Sequence, residues 1–232
     1  DVSEHEAAPL VERCAAAQAE LGEAFPIPGS SGYVLIPHEA ADVPAALQIA
    51  DRRMYLHKGR ERASARRQTR DVLLAALRLH SSDLDEHGRE VSRLALAVGS
   101  TLGLAPESRD ELARAAELHD VGKMAIPDAI LNKPGPLTDA EWDFIHRHTL
   151  IGEQILAAAP AMLPVARLVR SSHERWDGEG YPDGLAGDEI PLGSRIVFAC
   201  DAFHTMTCDR AYRSRLEPAQ ALAELRRNAG TQ

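Results

Sequence analysis

The sequence predicts a mainly α-helical chain that begins with a small α/β portion. Two observations carry this. Aromatic residues make up only 4% of the chain while alanine and leucine abound, a composition that leans towards helices. From about residue 66 onward, apolar residues recur at helical spacing with capping residues ahead of several runs.

Residues 7–22 (AAPLVERCAAAQAELG) have helical composition, with Gly22 as the stop. Residues 25–36 (FPIPGSSGYVLI) read as two short strands around a Gly-Ser turn. Residues 42–58 return to a helix, with Ala46, Ile49, Ala50 and Met54 near one face. The basic stretch from Lys58 to Arg70 links this part to the next. An anion contact is the sharper reading of that charge run, and a solvated helix the commoner one. The chain thus divides into residues 1–60, a linker helix over 61–80 and a helical domain over 81–232.

Within the helical part, Val72 to Leu79 is strongly apolar. Over 87–103, Val91, Leu94, Ala95, Val98 and Leu102 follow the i, i+3, i+4, i+7 rule. Ser108 with Glu111, and Thr138 with Glu141, form capping-box patterns before the next two helical runs. Three prolines make 123–137 (KMAIPDAILNKPGPL) a loop. Ser194 is placed to cap RIVFACDAFHTM, and Pro218 opens a last helix through about Arg227.

The formal charge of −9 argues against a general DNA or RNA polymer binder. It leaves room for a small anionic substrate in a locally positive pocket. No run of about 18 apolar residues is present, so no membrane span is expected. The start DVSEHEAAPL lacks secretion-signal character. Cys14, Cys200 and Cys208 fit no paired spacing and read as reduced thiols of a cytoplasmic protein.

Chemistry gathers at histidines and aspartates. HDVGK, residues 119–123, sets an imidazole beside a carboxylate at a helix end, then a glycine turn and a lysine. Such a pair can ligate metal if the helix end frays, and it can also be a plain helix terminus beside a turn. His148 shares a helix face with Ile145, Gly152 and Ile155, where a satisfied core histidine is the bland reading. Asp201 lies in the apolar run VFACDAFH, where an unpaired carboxylate is costly. Asp201 and His204 sit three apart on one helical face. Collected on one scaffold, these groups favour metal-assisted hydrolysis, and imidazole with carboxylate suits iron, manganese or zinc.

Two resemblances follow. Ala50, Asp51, Tyr55, Lys58, Gly59 and Arg60 resemble the C-terminal end of a GGDEF (diguanylate cyclase) domain. The Gly-Gly-Asp/Glu-Glu-Phe signature is absent, so this resemblance implies a truncated remnant that makes no cyclic dinucleotide. The order His87, His119-Asp120 with Lys123, and Asp201 resembles the HD superfamily of metal-dependent phosphohydrolases, and HERWDGEGYP with Gly180-Tyr181-Pro182 resembles its HD-GYP subfamily. His148 in HTLIG and the run CDAFHTMTCDRAYR fall where that subfamily has its next motifs. The HD-GYP resemblance covers about residues 70–215, with five motifs in order.

It implies an HD-type helical bundle holding two or three ions, usually iron or manganese, that opens cyclic di-GMP to pGpG or on to GMP. Carried over by position, His87, His119, Asp120, His148, His173 and Asp201 match metal ligands, with Asp120 bridging. Lys123 and Asp120 then form the catalytic pair. Lys123 also matches a phosphate contact, Arg210 and Arg213 match phosphate or guanine contacts, and Tyr181 belongs to the loop shaping the pocket.

The chain departs from that pattern at three places. Ser172 stands where the family usually has a further histidine. Asp83 stands where three-metal members carry glutamate, which leaves a third ion open. His204 replaces a common aspartate. The expectation is a two-metal site, with His87, His119, Asp120 and Asp201 on one ion and Asp120, His148 and His173 on the other. A second reading is a degenerate cyclic-dinucleotide sensor or protein-interaction module. The resemblances also imply a homodimer through the linker helix and a GGDEF-domain partner. Trp142 reads as core and Trp176 as packing under the glycine turn. Gly178 and Gly180 read as positive-φ positions, and His5, His38, His57, His80 and His146 as surface residues.

Overall fold

The computed structural model describes residues 4–20, 30–209 and 214–231. The chain forms two compact units, residues 1–67 and 68–232. The boundary falls inside one long helix.

The first unit contains α1 (Glu4–Glu20) and the start of α2 (Val43–His80). Gly22 and residues 25–29, half of the expected strand pair, lie outside the described residues. Residues 30–36 form no strand. The groups that a strand ladder would take up are bonded by side chains instead. Arg53 donates to the Tyr33 carbonyl at 2.7 Å, and the Leu35 amide donates to Glu39 at 2.9 Å. Residues 61–80 continue α2 without a break.

The second unit holds the end of α2 and eight further helices among the described residues. These are α3 (Ser82–Thr101), α4 (Pro106–Leu118), α5 (Asp128–Leu131), α6 (Asp139–His146), α7 (His148–Ala157), α8 (Leu163–Arg170), α9 (Leu192–Thr207) and α10 (Pro218–Arg227). Short 3-10 turns lie at Val121–Ala125, Pro160–Met162 and Gly187–Glu189. The region expected as an irregular loop thus contains one such turn and α5. The core gathers Val91, Ala95, Leu112, Leu118, Leu156, Val165, Val169 and Val197. Each fully buried valine or leucine among them contributes roughly 1.5–3 kcal/mol.

The α3 stripe runs differently from its expected course. Val91 and Ala95 are fully buried, but Val98 and Leu102 are exposed. The buried face instead follows Gly88, Ser92, Ala95 and Gly99, because small residues let α4 approach closely. Thr138 and Glu141 do form a capping box at α6. Ser108 and Ser194 do not cap. α4 and α9 begin earlier, at Pro106 and at Leu192, so both serines lie inside their helices. The Ser194 hydroxyl instead donates to the Leu168 carbonyl at 2.9 Å, tying α9 to α8. Pro218 opens α10 as expected.

Candidate metal centre

Five elements deliver the histidines and aspartates to one place. His87 comes from α3, His119 ends α4 and Asp120 precedes the turn Val121–Ala125. His148 begins α7, His173 follows α8 and Asp201 lies in α9. Gly122 makes the close approach possible. A Cβ there would fall 1.9 Å from the His148 carbonyl oxygen, so any side chain would push the turn off α7.

Two groups result: His87, His119 and Asp201, and Asp120, His148 and His173. In each, the candidate ligand atoms lie within 4.8 Å of one another. Asp120 stands between the groups. Its Oδ1 is 3.5 Å from His148 Nε2, and its Oδ2 is 3.6 Å from His119 Nε2.

The hydrogen bonds define what these atoms can accept. His119 Nδ1–H donates to the Ala116 carbonyl at 2.8 Å, and His148 Nδ1–H to the Ile145 carbonyl at 2.6 Å. A carbonyl only accepts, so in each neutral ring the lone pair sits on Nε2. Among the described residues, His119 Nε2, Asp120 Oδ1, His148 Nε2 and His173 Nε2 are buried without a hydrogen-bond partner. An orphaned buried polar atom costs about 1–3 kcal/mol. The lone pairs of His119 Nε2, His148 Nε2 and Asp120 converge beside His173 with no donor to them among the described residues but Lys123, an arrangement that a cation satisfies, so these residues fit a divalent metal.

The electrostatics agree. Burial alone would raise the Asp120 carboxyl, but Lys123, His119 and His148 hold it well below the usual carboxylate range. Burial lowers His148 to about 4 and His173 to about 3, so both rings stay neutral and able to ligate at pH 7. Asp201 is also lowered: burial opposes this, but the His87 hydrogen bond and His119 prevail.

A family model described as an HD domain matches residues 71–232. The chain belongs to the HD domain family. Within its curated relatives, this HD domain is 38% identical over 145 residues to the 3'3'-cGAMP-specific phosphodiesterase 3 of Vibrio cholerae, covering 62% of this chain and 32% of that protein. It is 38% identical over 161 residues to the cyclic di-GMP phosphodiesterase response regulator RpfG of Xanthomonas campestris, covering 68% and 43%. The chain therefore spans less than half the length of either relative. Among solved structures, the HDG"Y"P protein Bd1817 of Bdellovibrio bacteriovorus matches with a TM-score of 0.52 and 22% identity, over 69% of this chain and 52% of that one. At that identity the likeness concerns the fold.

The remaining expected residues of the HD domain are placed as follows. Lys123 donates to Asp120 Oδ2 at 2.7 Å. Tyr181 lies stacked against both His146 and His173. Arg210 and Arg213 lie outside the described residues. Asp83 is exposed and belongs to neither group. The Ser172 hydroxyl is buried and donates to the Val169 carbonyl at 2.8 Å. His204 pairs with His87 through their Nδ1 atoms at 2.8 Å.

Several contributors escape sequence reasoning. Thr205 donates to Asp201 Oδ1 at 3.2 Å, a helical i+4 contact that spacing could have suggested. Glu174 is 2% exposed, and its carboxylate accepts from the Asp183 and Leu185 amides at 2.7 and 3.0 Å, pinning the loop that carries Tyr181. His146, expected at the surface, stacks on Tyr181 at 4.0 Å. Trp142, expected in the core, is half exposed beside His146. Gly178 has the expected positive φ of 80°, but Gly180 does not. Gly180 is needed for space, since a Cβ would lie 2.2 Å from the Arg175 amide nitrogen.

Proposed function

We propose that this HD domain is a metal-dependent phosphodiesterase that opens a cyclic dinucleotide, cyclic di-GMP to pGpG, with GMP as the further product. The observation that carries the reading is the set of buried, unpartnered side-chain atoms on His119, Asp120, His148 and His173. Relatives named for cyclic di-GMP and for 3'3'-cGAMP are equally similar at 38% identity, which supports the cyclic-dinucleotide class ahead of either member.

His87, His119 and Asp201 would hold one divalent ion, and His148 and His173 the other, with Asp120 bridging. Two such ions, iron or manganese, would when bound lower the pKa of a water towards neutrality and neutralise phosphodiester oxygens. The chain's own residues do the rest. Lys123 keeps Asp120 ionised from one side and can reach a non-bridging phosphate oxygen from the other. Tyr181 walls the site beside His173. Arg210 and Arg213 offer bidentate donors to phosphate or the guanine edge. Residues 1–60 are read as the GGDEF remnant, the linker over 61–80 as a homodimer seam and the cytoplasm as the compartment.

The rival is a degenerate cyclic-dinucleotide sensor or protein-interaction module. Ser172 favours it, because its proton is committed to Val169 and the second group keeps only three protein ligands. A turnover assay decides, with cyclic di-GMP and 3'3'-cGAMP after manganese or ferrous loading, on wild type and Ser172→His with bound metal counted. Hydrolysis by the wild type with two ions per chain is expected. Binding without cleavage in both proteins overturns the enzyme reading in favour of the sensor.

A further inference from the structure

His119 and His148 are each aimed by an Nδ1–H bond to a main-chain carbonyl. His173 is held by rings. Tyr181 lies parallel to it at 5.2 Å with 9° between planes. Tyr181 is also stacked by His146, at 4.0 Å and 22°. Trp142, one helical turn earlier on α6, backs His146 at 5.6 Å. The four rings form a file from half-exposed Trp142 to the buried, unpartnered His173 Nε2. None of the chemistry above uses His146.

We propose that His146 is a positioning residue for the second ligand group, clamping Tyr181 against His173 and so fixing the direction of His173 Nε2. The inference rests on reading Asp120, His148 and His173 as a metal site. That group is exposed to such misdirection. It has three protein ligands, the neighbouring Ser172 hydroxyl is bonded to Val169, and a tilted His173 leaves only two. Outer-shell partners of metal-ligating histidines are typically worth about 10–100-fold in metal affinity. A face-to-face clamp needs a flat ring and no particular nitrogen, so phenylalanine should serve at residue 146 where alanine does not.

The test titrates the metal-free full chain with Mn²⁺ and reads the two binding steps separately. His146→Ala is expected to weaken the second ion about ten-fold, the low end of the range for outer-shell partners, with the first unchanged. His146→Phe is expected to restore it. Equal affinity in wild type and His146→Ala, or equal loss in the Ala and Phe variants, overturns the proposal. A second readout uses no metal: the fluorine resonance of Tyr181 in fluorotyrosine-labelled protein, assigned by its disappearance in Tyr181→Phe. It should move towards the solvent-exposed position in His146→Ala and stay in His146→Phe. If the wild type binds fewer than two ions, the metal reading fails, and the fluorine line alone decides the clamp. An unmoved line overturns it, and a moved line sustains it.

Discussion

The two ligand groups sit side by side, yet they are satisfied to different degrees. In the first, His87 Nε2 meets Asp201 Oδ1 at 3.0 Å, and Asp201 also accepts from Thr205. Only His119 contributes an orphaned atom there. In the second, Asp120, His148 and His173 each contribute one. A proton shared with His87 therefore satisfies Asp201 in the first group, whereas in the second the Lys123 ammonium reaches Asp120 Oδ2 alone and leaves Oδ1 and both imidazole Nε2 atoms unpartnered. Solvent contact divides the groups less cleanly: His87 and Asp201 keep 13% and 18% exposure but His119 only 1%, while His148 and Asp120 keep 1% and 5% and His173 is half-buried. Identical ligand chemistry thus yields one group whose polar atoms largely satisfy one another and one whose atoms do not.

The sharpest way to break the contrast is to remove the residue both groups share. Asp120→Asn keeps the shape but deletes the charge that Lys123 and the two nearby histidines balance. We expect hydrolysis to fall about 10²–10³-fold and bound metal to fall in both groups, read by kinetics and metal analysis. Loss of one ion alone would show that Asp120 does not bridge.

Acid separates the groups next. Native His148 and His173 refuse protons that the unfolded chain accepts near pH 6.5, because burial lowers them to about 4 and about 3. Between those limits the unfolded state binds more protons, so the metal-free protein should lose stability as pH falls, by on the order of a few kcal/mol. The depressed carboxylates Asp120 and Asp201 add their loss only below their ordinary value of 3.8. Urea unfolding across this range should show stability falling with pH, with a shallower slope in His148→Asn. A stability curve flat from pH 6.5 to 4 would contradict this.

Ser172→His tests whether the second group lacks a ligand. An added imidazole should tighten the second ion at least about ten-fold, ~1.4 kcal/mol, and leave the first alone, as read by metal titration. The smallest effect belongs to Thr205→Val, which removes a donor to Asp201. A several-fold weakening of the first ion only is expected, whereas an equal change at both groups would mean that they are not independent.

How far the sequence foretold this differs by kind of signal. His87, His119, Asp120, His148, His173 and Asp201 were legible because their motifs keep a fixed order, and the fold brings all six together. The box at Thr138 was legible because capping is local. The course of the α3 face was not, because α4 selects small residues there and Gly99 carries no hydropathy to reveal it. His146 was missed because its partner Tyr181 is 35 residues away on an irregular loop. Glu174 was missed because it looks like one more charge in a polar turn, although its partners are backbone amides. The strand expectation failed at 30–36 because Arg53 and Glu39 take the bonds a ladder would need.

Those Glu174 bonds have a consequence for engineering. The carboxylate, the amides at Asp183 and Leu185, the Gly180 approach to Arg175, and the Tyr181 amide bond to the His173 carbonyl at 3.2 Å all fall within residues 173–185. Much of the segment's fastening is internal, and the rest comes from Arg170 on α8, which donates to both Asp183 carboxylate oxygens at 2.7 Å, and from the Thr231 carbonyl, which accepts from the Asp177 amide. A graft of this loop would therefore have to take residue 170 with it, and the side chain at residue 181 could then be varied inside a frame that stays fixed.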